Sequence, residues 1–367
     1  MRPDRILVVN AGSSSLKLRV LGQDGRSRAS RNLRGRPQDQ PGARLARELA
    51  QLGPVDAVGH RVVHGGAEFL AAVLIDGRVE SRLRALTDLD PLHQPGALAG
   101  MDAARAAFPE APQVACFDTA FHAAMPPWAS TYALPAEWRQ RWGLRRYGFH
   151  GLSHAYAARR AAALLRRPVG ELRLVTCHLG AGASLAAVAM GRSVDTTMGF
   201  TPLEGLVMAT RSGSVDPGLL LWLERAQGLS PSEVADALEQ RSGLLGLAGT
   251  ADMRLVVDRA AAGAAEARLA LEVYVHRLAQ GIAAMVAAMG GLDALVFTGG
   301  VGERSAPVRR MAVARLGFLG LLVDEERNAA GRGDRRLEVA GRSKPVLVVL
   351  AREEVQIAAE VRELLGS

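Results

Sequence analysis

Two segments about half a chain apart repeat one arrangement, and this repeat constrains the fold more than any other feature. Residues 6–20 run from an apolar strand through Gly12 and three serines into a second strand. Residues 174–188 repeat that order, with glycines and a Ser-Leu pair between two apolar runs. One such turn alone is also typical of a β-hairpin, because glycine allows a positive φ. Two copies in one chain predict an internal duplication.

The first copy has the composition of a phosphate-binding turn. Gly12 would let a ligand approach the backbone closely, residues 13–15 offer hydroxyl and amide groups, and Lys17 adds a positive charge. Asn10, at the end of the first strand, offers a neutral oxygen that could reach a hydrated cation. We therefore expect anion binding at this turn.

The apolar spacing elsewhere predicts strands that alternate with helices, which indicates an α/β fold with crossover connections. Strands are predicted at 55–63, 113–117 and 295–298, and helices at 78–89, 96–108, 153–165, 216–227, 231–240, 265–289 and 353–365. Glycines after residue 298 are expected to lead into a helix that begins at Pro307. Residues 21–48 are polar and Arg-rich, so a hairpin and loops with little core are predicted there.

Bulk properties exclude several classes of protein. The 367 residues are long enough for two domains, and 49% hydrophobic residues with a mean hydropathy of +0.08 are typical of a globular enzyme. No apolar run has the roughly 18 to 20 residues of a membrane span, and the N-terminal residues have no signal-peptide pattern. We therefore expect a cytoplasmic protein with no membrane partner. Cys116 and Cys177 lie in apolar runs and are expected to be buried thiols.

The net charge of +8 and the pI near 10.3 would ordinarily suggest a nucleic-acid partner. Only Lys17 and Lys344 are lysines, so nearly all of the positive charge is arginine spread along the chain. Aromatic residues, which would stack on bases, make up 4% of the sequence. We therefore expect no nucleic-acid binding.

The histidines invite a metal hypothesis, because His60 and His64, and also His150 and His154, are four residues apart. The first pair lies in a strand-like run, where four residues span roughly 13 Å and cannot share one ion. The second pair lacks the glutamate of a zinc-protease helix. We therefore do not expect protein-ligated zinc.

Two arginines have surroundings that suit a small anion. Arg61 and Arg211 each lie between turn residues, in segments 59–66 and 209–217. A guanidinium group can bind a carboxylate or a phosphate with two hydrogen bonds. Surface arginines in ordinary turns remain the alternative.

The ordered set of motifs resembles that of acetate kinases. The segments that carry the resemblance are 10–17, 59–66, 91–93, 117–122, 147–154, 177–182, 201–206, 209–213, 252–254 and 297–303. The match runs from residue 6 to about residue 358. It implies an α/β fold of two duplicated ribonuclease H-like (actin-like ATPase) domains with a cleft between them. Residues 1–122 plus 354–367 would form the acyl-substrate side, and 123–353 the nucleotide-binding domain.

The resemblance also implies site residues. Arg61 and Arg211 would hold the carboxylate and the transferring phosphoryl group, His150 would donate to that group, and Asp118 would take the acid/base position. An ionised carboxylate needs no base, so Asp118 has the alternative role of orienting Arg61 or metal-bound water. Mg²⁺, or Mn²⁺, would be held by Asn10 and Glu353. The residues near the phosphates would be Ser13, Ser15 and Lys17. The nucleotide site would contain His178, Leu179, Gly180, Ala181, Gly182, Asp252, Met253, Arg254, Gly299, Gly300, Val301, Gly302 and Glu303. The apolar acyl pocket would contain Val63, Leu92, Phe149 and Pro202, and His93 would also bind the substrate.

The implied reaction is reversible transfer of a phosphoryl group from ATP to acetate, which forms acetyl phosphate and ADP. The family is typically homodimeric, so a homodimer is expected. A propionate or other short-chain carboxylate kinase is one alternative, and a non-catalytic protein that binds nucleotide or senses acetyl phosphate is another. Departures from the usual motifs motivate the second alternative: Gln94, Gly96, Ala181, Ala183, Ser214 and residues 351–352 differ from the family pattern.

Overall fold

The computed structural model describes residues 3–12, 15–90 and 93–366. The expectations for Ser13 and Leu92 therefore lie outside the described residues. The strands in the described ranges are β1 (Ile6–Ala11), β2 (Ser15–Leu21), β3 (Ser27–Arg34), β4 (Ala57–Val62), β5 (Val73–Leu74), β6 (Gln113–Phe117), β7 (Arg173–Leu179), β8 (Ala183–Ala189), β9 (Arg192–Thr196), β10 (Ala294–Thr298), β11 (Arg335–Arg336) and β12 (Val346–Val348).

The helices alternate with these strands. They are α1 (Gly42–Ala50), α2 (Gly77–Ala85), α3 (Gln94–Ala107), α4 (Pro127–Ser130), α5 (Ala136–Trp142), α6 (Gly151–Leu165), α7 (Pro217–Gln227), α8 (Pro231–Gln240), α9 (Gly243–Ala248), α10 (Met253–Ala261), α11 (Ala265–Ala288), α12 (Gly299–Arg304), α13 (Ala306–Ala314), α14 (Glu325–Ala329) and α15 (Glu353–Leu365). Short 3₁₀ turns occur at Pro37–Asp39, Leu86–Asp88, Ala120–His122, Val169–Glu171 and Gly317–Leu319. Among the described residues, no helix combines the length and the apolar character that crossing a membrane requires.

Contacts divide the chain into two compact units. The first unit comprises 1–123, 149–156 and 352–367, and the second comprises 124–148 and 157–351. The segment 149–156 groups with the first unit because Leu152 packs in the same apolar cluster as Ile6 and Val8. The domain boundaries predicted near 122 and 353 stay a prediction.

The two units contain sheets of the same design. In the first, the strand order is β3-β2-β1-β4-β6-β5, with β1, β4 and β6 parallel and the other neighbours antiparallel. In the second, the order β9-β8-β7-β10-β12-β11 has the same sequence of parallel and antiparallel pairs. The predicted duplication and the α/β fold class are therefore confirmed.

The first sheet buries both of its faces. Leu7 and Val9 of β1 pack with Leu45 of α1 in one cluster, whereas Ile6 and Val8 pack with residues of α15 in another. Successive side chains of a strand point to opposite faces, so α1 and α15 cover opposite faces of the sheet. A Cβ on Gly59 of β4 would lie 2.6 Å from Ile357 Cγ2, so the missing side chain lets α15 approach closely.

Two predicted segments need correction. Residues 21–48 do contain the hairpin, but Gly42–Ala50 is a helix whose Leu45 and Leu49 are buried at 1% and 0% exposure. The arginines on its exposed side obscured this four-residue apolar spacing. The helix predicted to begin at Pro307 is present as α13, which starts at Ala306, but the glycines expected only to lead into it form a helix of their own, α12.

Candidate active site

Parallel strand ends position three polar side chains of the first unit. Asn10 lies near the end of β1, Arg61 near the end of β4, and Asp118 directly after β6. Strand alternation directs all three to the face that α15 covers, and Glu353 is the first residue of that helix. Ligands of open α/β sheets bind at the carboxyl ends of the strands. This edge of the first sheet is therefore the candidate site.

These four side chains form one hydrogen-bonded network. Arg61 donates from Nε to Asp118 Oδ1 at 3.2 Å and from Nη2 to Asp118 Oδ2 at 2.6 Å. Its Nη1 donates to Asn10 Oδ1 at 3.3 Å and lies 3.8 Å from Glu353 Oε2. Asn10 Nδ2 donates to Glu353 Oε2 at 3.0 Å. The structure thus brings together Asn10 and Glu353, which are 343 residues apart in the chain.

Burial gives this network unusual electrostatics. Burial lowers the pKa of Arg61, but the carboxylates of Asp118 and Glu353 outweigh it, so its pKa lies above the usual value. Burial raises the pKa of Asp118, and the Arg61 guanidinium opposes that shift. Both Asp118 oxygens accept from Arg61, so we assign a buried carboxylate and guanidinium pair. Within the network, two carboxylates face one guanidinium, which leaves one negative charge for a cation.

Backbone contacts hold Asp118 in place. Its N–H donates to Val62 O at 3.0 Å, and its carbonyl accepts from Gly151 N at 2.9 Å. A Cβ on Gly151 would overlap the Asp118 carbonyl oxygen, so only glycine fits where α6 begins. The start of α6 is thereby joined to the end of β6.

His150 immediately precedes this contact. Its φ of +56° is in the left-handed region, which a residue with a Cβ rarely adopts. Strained backbone of this kind costs on the order of 1 to 3 kcal/mol and is frequent at functional sites. This strained residue directly precedes the tight contact between Gly151 and Asp118.

The residues predicted for the acyl pocket of the first unit are buried apolar groups. Val63 follows β4 and is 7% exposed, and Phe149 is 1% exposed. The ring of Phe149 lies edge-on to His64, with centroids 5.4 Å apart. His64 Nδ1 accepts from Gly66 N at 2.8 Å, so this ring also orders the turn after β4.

His93 has a partner that the sequence did not suggest. Its Nδ1 lies 2.9 Å from Asp90 Oδ1, and Asp90 is 5% exposed. A carboxylate in this position favours the tautomer with the proton on Nδ1. The Asp-x-x-His spacing before a predicted helix was the available signal for this pair.

The predicted phosphate-binding residues of the first turn are more open. Lys17 lies opposite Asn10 in the pairing of β1 with β2, and its side chain is exposed. Ser15 is half-buried, and its carbonyl accepts from Gly12 N at 2.9 Å. A Cβ on Gly12 would meet Ser15 O at 3.4 Å, an ordinary contact among the described atoms. Among the described residues, nothing around Gly12 therefore requires glycine.

In the second unit, two predicted nucleotide segments meet. His178 of β7 pairs with Thr298 of β10, so residues 178–182 and 299–303 extend from neighbouring strand ends. Gly299 has a φ of +76°, and a Cβ there would lie 2.8 Å from Leu179 O. Gly180 N donates to Gly182 O at 2.9 Å, which closes a tight turn. The turns after β7 and β10 therefore contact each other mainly through backbone atoms.

The remaining predicted nucleotide residues have partners of their own. Asp252 caps α10 and accepts from Arg254 N at 2.9 Å and from Arg254 Nη2 at 2.7 Å, while Met253 is buried. The hydrogen bond from the Arg254 side chain lowers the pKa of Asp252. Glu303 Oε1 accepts from Ala351 N at 2.8 Å. Val301 is half-buried in α12. A Cβ on Gly300 would have no other atom within 4 Å among the described residues.

Arg211 and Pro202 also come together in the second unit. Arg211 Nη1 donates to Pro202 O at 3.2 Å. The backbone of residues 208–211 is held by the start of α9, where Ser242, Leu244 and Leu245 donate to Thr210, Met208 and Ala209 at 2.9–3.0 Å. This arginine is therefore presented from a fixed segment.

Three departures from the family pattern have structural roles. Gln94 is fully buried and its Nε2 donates to Leu83 O at 2.7 Å, which joins α3 to α2. Ser214 Oγ accepts from Gly205 N at 3.1 Å. The Ala181 carbonyl accepts from Ala209 N at 3.0 Å, so this turn is tied by backbone instead of an amide side chain.

The donor set of the first unit suits a partly hydrated cation. Asn10 and Glu353 offer amide and carboxylate oxygens, the ligand types that Mg²⁺ prefers. Across residues 3–12, 15–90 and 93–366, no cluster of three or more His, Cys, Asp or Glu side chains is arranged to hold a metal. A cation here would therefore keep most of its ligands from water or substrate oxygens.

Comparison with known proteins decides the family. A model described as the acetokinase family matches residues 44–359. The chain belongs to the acetokinase family. It is 48% identical to an acetate kinase of Deinococcus radiodurans, with 98% of each chain covered. It is 46% identical to an acetate kinase of a Synechococcus species, with 98% and 99% covered.

Solved structures of this family have the same fold. The acetate kinase of Porphyromonas gingivalis superposes with a TM-score of 0.90 at 36% identity, covering 99% of this chain and all of the other. A propionate kinase of Francisella tularensis gives a TM-score of 0.89 at 37% identity, covering 97% and 98%. Membership of this family makes the chain a kinase, as the motif order predicted.

Proposed function

We propose that this kinase transfers the γ-phosphoryl group of ATP to a carboxylate oxygen of acetate, reversibly. The observation that carries the proposal is the network of Asn10, Arg61, Asp118 and Glu353, because motif residues far apart in sequence converge there. Likeness to acetate kinases over nearly the whole chain supports it.

The chemical difficulty of this reaction is electrostatic. A carboxylate is already an adequate nucleophile, but it must approach an anionic phosphate in line with the leaving group. Arg61 would hold one of these anions, and Arg211 and His150 would donate to the transferring phosphoryl group. Residues 178–182, 252–254 and 299–303 would bind the nucleotide, with Ser13, Ser15 and Lys17 near its phosphates.

Asp118 would act as a positioning residue. Both of its oxygens accept hydrogen bonds from Arg61, which ties this carboxylate to the guanidinium. An acetate ion also has no proton to remove at neutral pH. We therefore assign Asp118 to holding the Arg61 guanidinium.

Asn10 and Glu353 would hold Mg²⁺ or Mn²⁺. The surplus negative charge and the oxygen donors of the network fit such a cation. When bound, the cation would neutralise charge on the nucleotide phosphates. Because Asn10 also contacts Arg61, the residues that take the cation and the carboxylate are directly coupled.

The first test is acyl phosphate formation. The purified chain, ATP, Mg²⁺ and acetate should give a hydroxamate after hydroxylamine is added. An amount of hydroxamate no higher than in a reaction without enzyme would favour the alternative of a nucleotide-binding or acetyl-phosphate-sensing protein.

The homodimer is a separate proposal. Light scattering would measure the mass of the protein in solution and so test it.

The second test separates acetate from propionate. The propionate kinase among the similar structures keeps that alternative open. One methylene in an apolar pocket changes binding by only about 1 to 3 kcal/mol, so kcat/KM must be compared on acetate, propionate and butyrate. We expect acetate to have the highest kcat/KM, because Val63 and Phe149 are closely buried bulky groups. A higher value for propionate would reassign the substrate.

A further inference from the structure

Glu204, in a motif of the second unit, has no role in the proposed reaction. Residues 201–206 contain Glu204, and the hydrogen bonds of this carboxylate reach two other segments of the unit. Tyr132 Oη donates to Glu204 Oε2 at 2.6 Å, and Arg146 Nη2 donates to Glu204 Oε1 at 2.7 Å. Both carboxylate oxygens are therefore held, one by each partner.

The same partners also bind the backbone of the neighbouring turn. Tyr132 Oη accepts from Phe200 N at 2.9 Å. Arg146 Nη1 donates to the carbonyls of Thr197 and Met198, each at 3.1 Å. We call Tyr132, Arg146 and Glu204 the Glu204 cluster. It fixes the chain just before Pro202 at several points.

The atoms around the Glu204 cluster are closely packed. A Cβ on Gly199 would overlap the Glu204 carboxylate and the Tyr132 hydroxyl. Burial raises the pKa of Tyr132, and Glu204 adds to the shift, so the phenol keeps its proton and remains a donor. Hydrogen bonds to an ionised group are stronger than those between neutral groups.

This turn leads directly to Arg211. Pro202 lies between Phe200 and Glu204 in sequence, and its carbonyl accepts from Arg211 Nη1 at 3.2 Å. Gly205 is bonded to Ser214 through Ser214 Oγ at 3.1 Å and through its own carbonyl at 3.0 Å. The turn and the segment that carries Arg211 therefore form one hydrogen-bonded structure.

We propose that the Glu204 cluster is a positioning device for Arg211, which it orients through the carbonyl of Pro202. The inference rests on the proposed function, because that function gives Arg211 its task at the phosphoryl group. Glu204, Tyr132 and Arg146 touch no reacting atom in this scheme. They set the direction of a guanidinium group whose own backbone is held separately by α9.

The test uses Glu204→Gln and Tyr132→Phe in the full chain. Each removes part of the cluster with little change in volume. We expect kcat to fall roughly 10- to 100-fold, the usual effect of losing a supporting partner of an active-site group. The KM for nucleotide should stay unchanged. Tyr147→Phe is the matched control, because it also removes one phenol hydrogen bond, from Tyr147 Oη to Gly143 O at 3.1 Å.

A double-mutant cycle distinguishes positioning from folding. If Glu204 acts through Arg211, Glu204→Gln should cost much less in an Arg211→Lys background than in the wild type. Equal costs in both backgrounds, or kcat unchanged in both single variants, would overturn the proposal.

A third readout does not depend on turnover. Phenylglyoxal modifies arginine, and mass spectrometry can follow the peptide that contains Arg211. We expect faster modification of Arg211 in Glu204→Gln and Tyr132→Phe, with the exposed Arg225 unchanged. An unchanged rate at Arg211 would overturn the positioning proposal. Absence of acyl phosphate from the wild type would instead overturn the proposed function, and the modification rates would still decide the orientation of Arg211.

Discussion

The two sheets have the same strand order but opposite chemistry at equivalent positions. In the first, Asp118 N donates to Val62 O at 3.0 Å, and in the second, Val349 N donates to Phe297 O at 2.9 Å. This shared bond aligns Asp118 with Val349, and therefore aligns Arg61 with Val296. Both valines are fully buried, whereas Arg61 and Asp118 form an ion pair. The same framework thus carries charge in one unit and apolar packing in the other.

At the ends of β7 and β10, the second unit instead has glycine-rich turns. Gly299, directly after β10, packs against Leu179 O with a φ of +76°. Charged side chains can hold small anions and a cation, and exposed backbone amides near glycine suit a phosphate chain. In the proposed function, these strand ends of the first sheet would therefore supply charged side chains, and those of the second sheet backbone groups.

The largest effect is expected from Arg61→Ala. Loss of a charged donor to one of the two reacting anions should cost roughly 2.7 to 4 kcal/mol, a fall in kcat of about 10² to 10³. Removing Arg61 also leaves Asp118 buried without its guanidinium, which should lower the free energy of unfolding by about 3 to 5 kcal/mol. This variant is therefore expected to be less stable than the wild type.

Denaturant unfolding and steady-state kinetics would check both effects. Arg241→Ala, which breaks the exposed pair with Asp236 in the second unit, is the control and should cost at most about 1 kcal/mol. A kcat in Arg61→Ala equal to that of the wild type would show that Arg61 is not part of the active site.

Gly299→Ala tests the backbone side of the comparison. The added methyl would lie 2.8 Å from Leu179 O, and alanine would be strained at this positive φ. The free energy of unfolding should therefore fall by about 1 to 3 kcal/mol. Gly300→Ala is the matched variant, since its Cβ would have open space within 4 Å. We expect calorimetry to give weaker nucleotide binding in both variants, but reduced stability only for Gly299→Ala. Equal stabilities would contradict the close-approach explanation.

Glu353→Ala tests the metal site of the first unit. Loss of this carboxylate should raise the Mg²⁺ concentration for half-maximal activity by roughly 10-fold, because Mg²⁺ has few protein ligands to begin with. Glu354→Ala is the control, because Glu354 pairs with Arg19 at 3.2 Å and lies next in the helix. A metal titration that is the same for both variants would argue against Glu353 as a ligand.

The last prediction concerns how the stability of the first unit depends on pH. Burial lowers the pKa of His60 and of His122 to about 4, opposed by hydrogen bonds to Gln113 and to the carbonyl of Phe149. The unfolded chain binds these protons near pH 6.5, so stability is full above that pH and falls as the pH drops toward 4. Each histidine contributes on the order of 3 kcal/mol over this window.

Urea unfolding at several pH values would measure this slope. His60→Gln should flatten it, whereas the exposed His276→Gln in the second unit should not. An unchanged slope in His60→Gln would mean that His60 is not the group that resists protonation.

Local patterns were sufficient for much of this protein. The predicted helix at 353–365 and the predicted strand at 113–117 coincide with α15 and β6, and the repeated strand and turn pattern predicted the duplication. Helix and strand periodicity is visible over a few residues, and turns depend on glycine and serine. The motif order was likewise enough to predict the family, and most of the residues proposed for the site were named from motifs alone.

Tertiary structure decided which of these residues meet. Asn10 contacts Glu353 across 343 residues, and Tyr132 contacts Glu204 across 72, so neither pair could be derived from local spacing. The apolar stripe of α1 became visible only when Leu45 was seen in the core. Strand order brings distant strand ends to one edge of a sheet, and there Arg61 meets the carboxylate of Asp118, whereas Val296 and Val349 at the same places in the second sheet are apolar core.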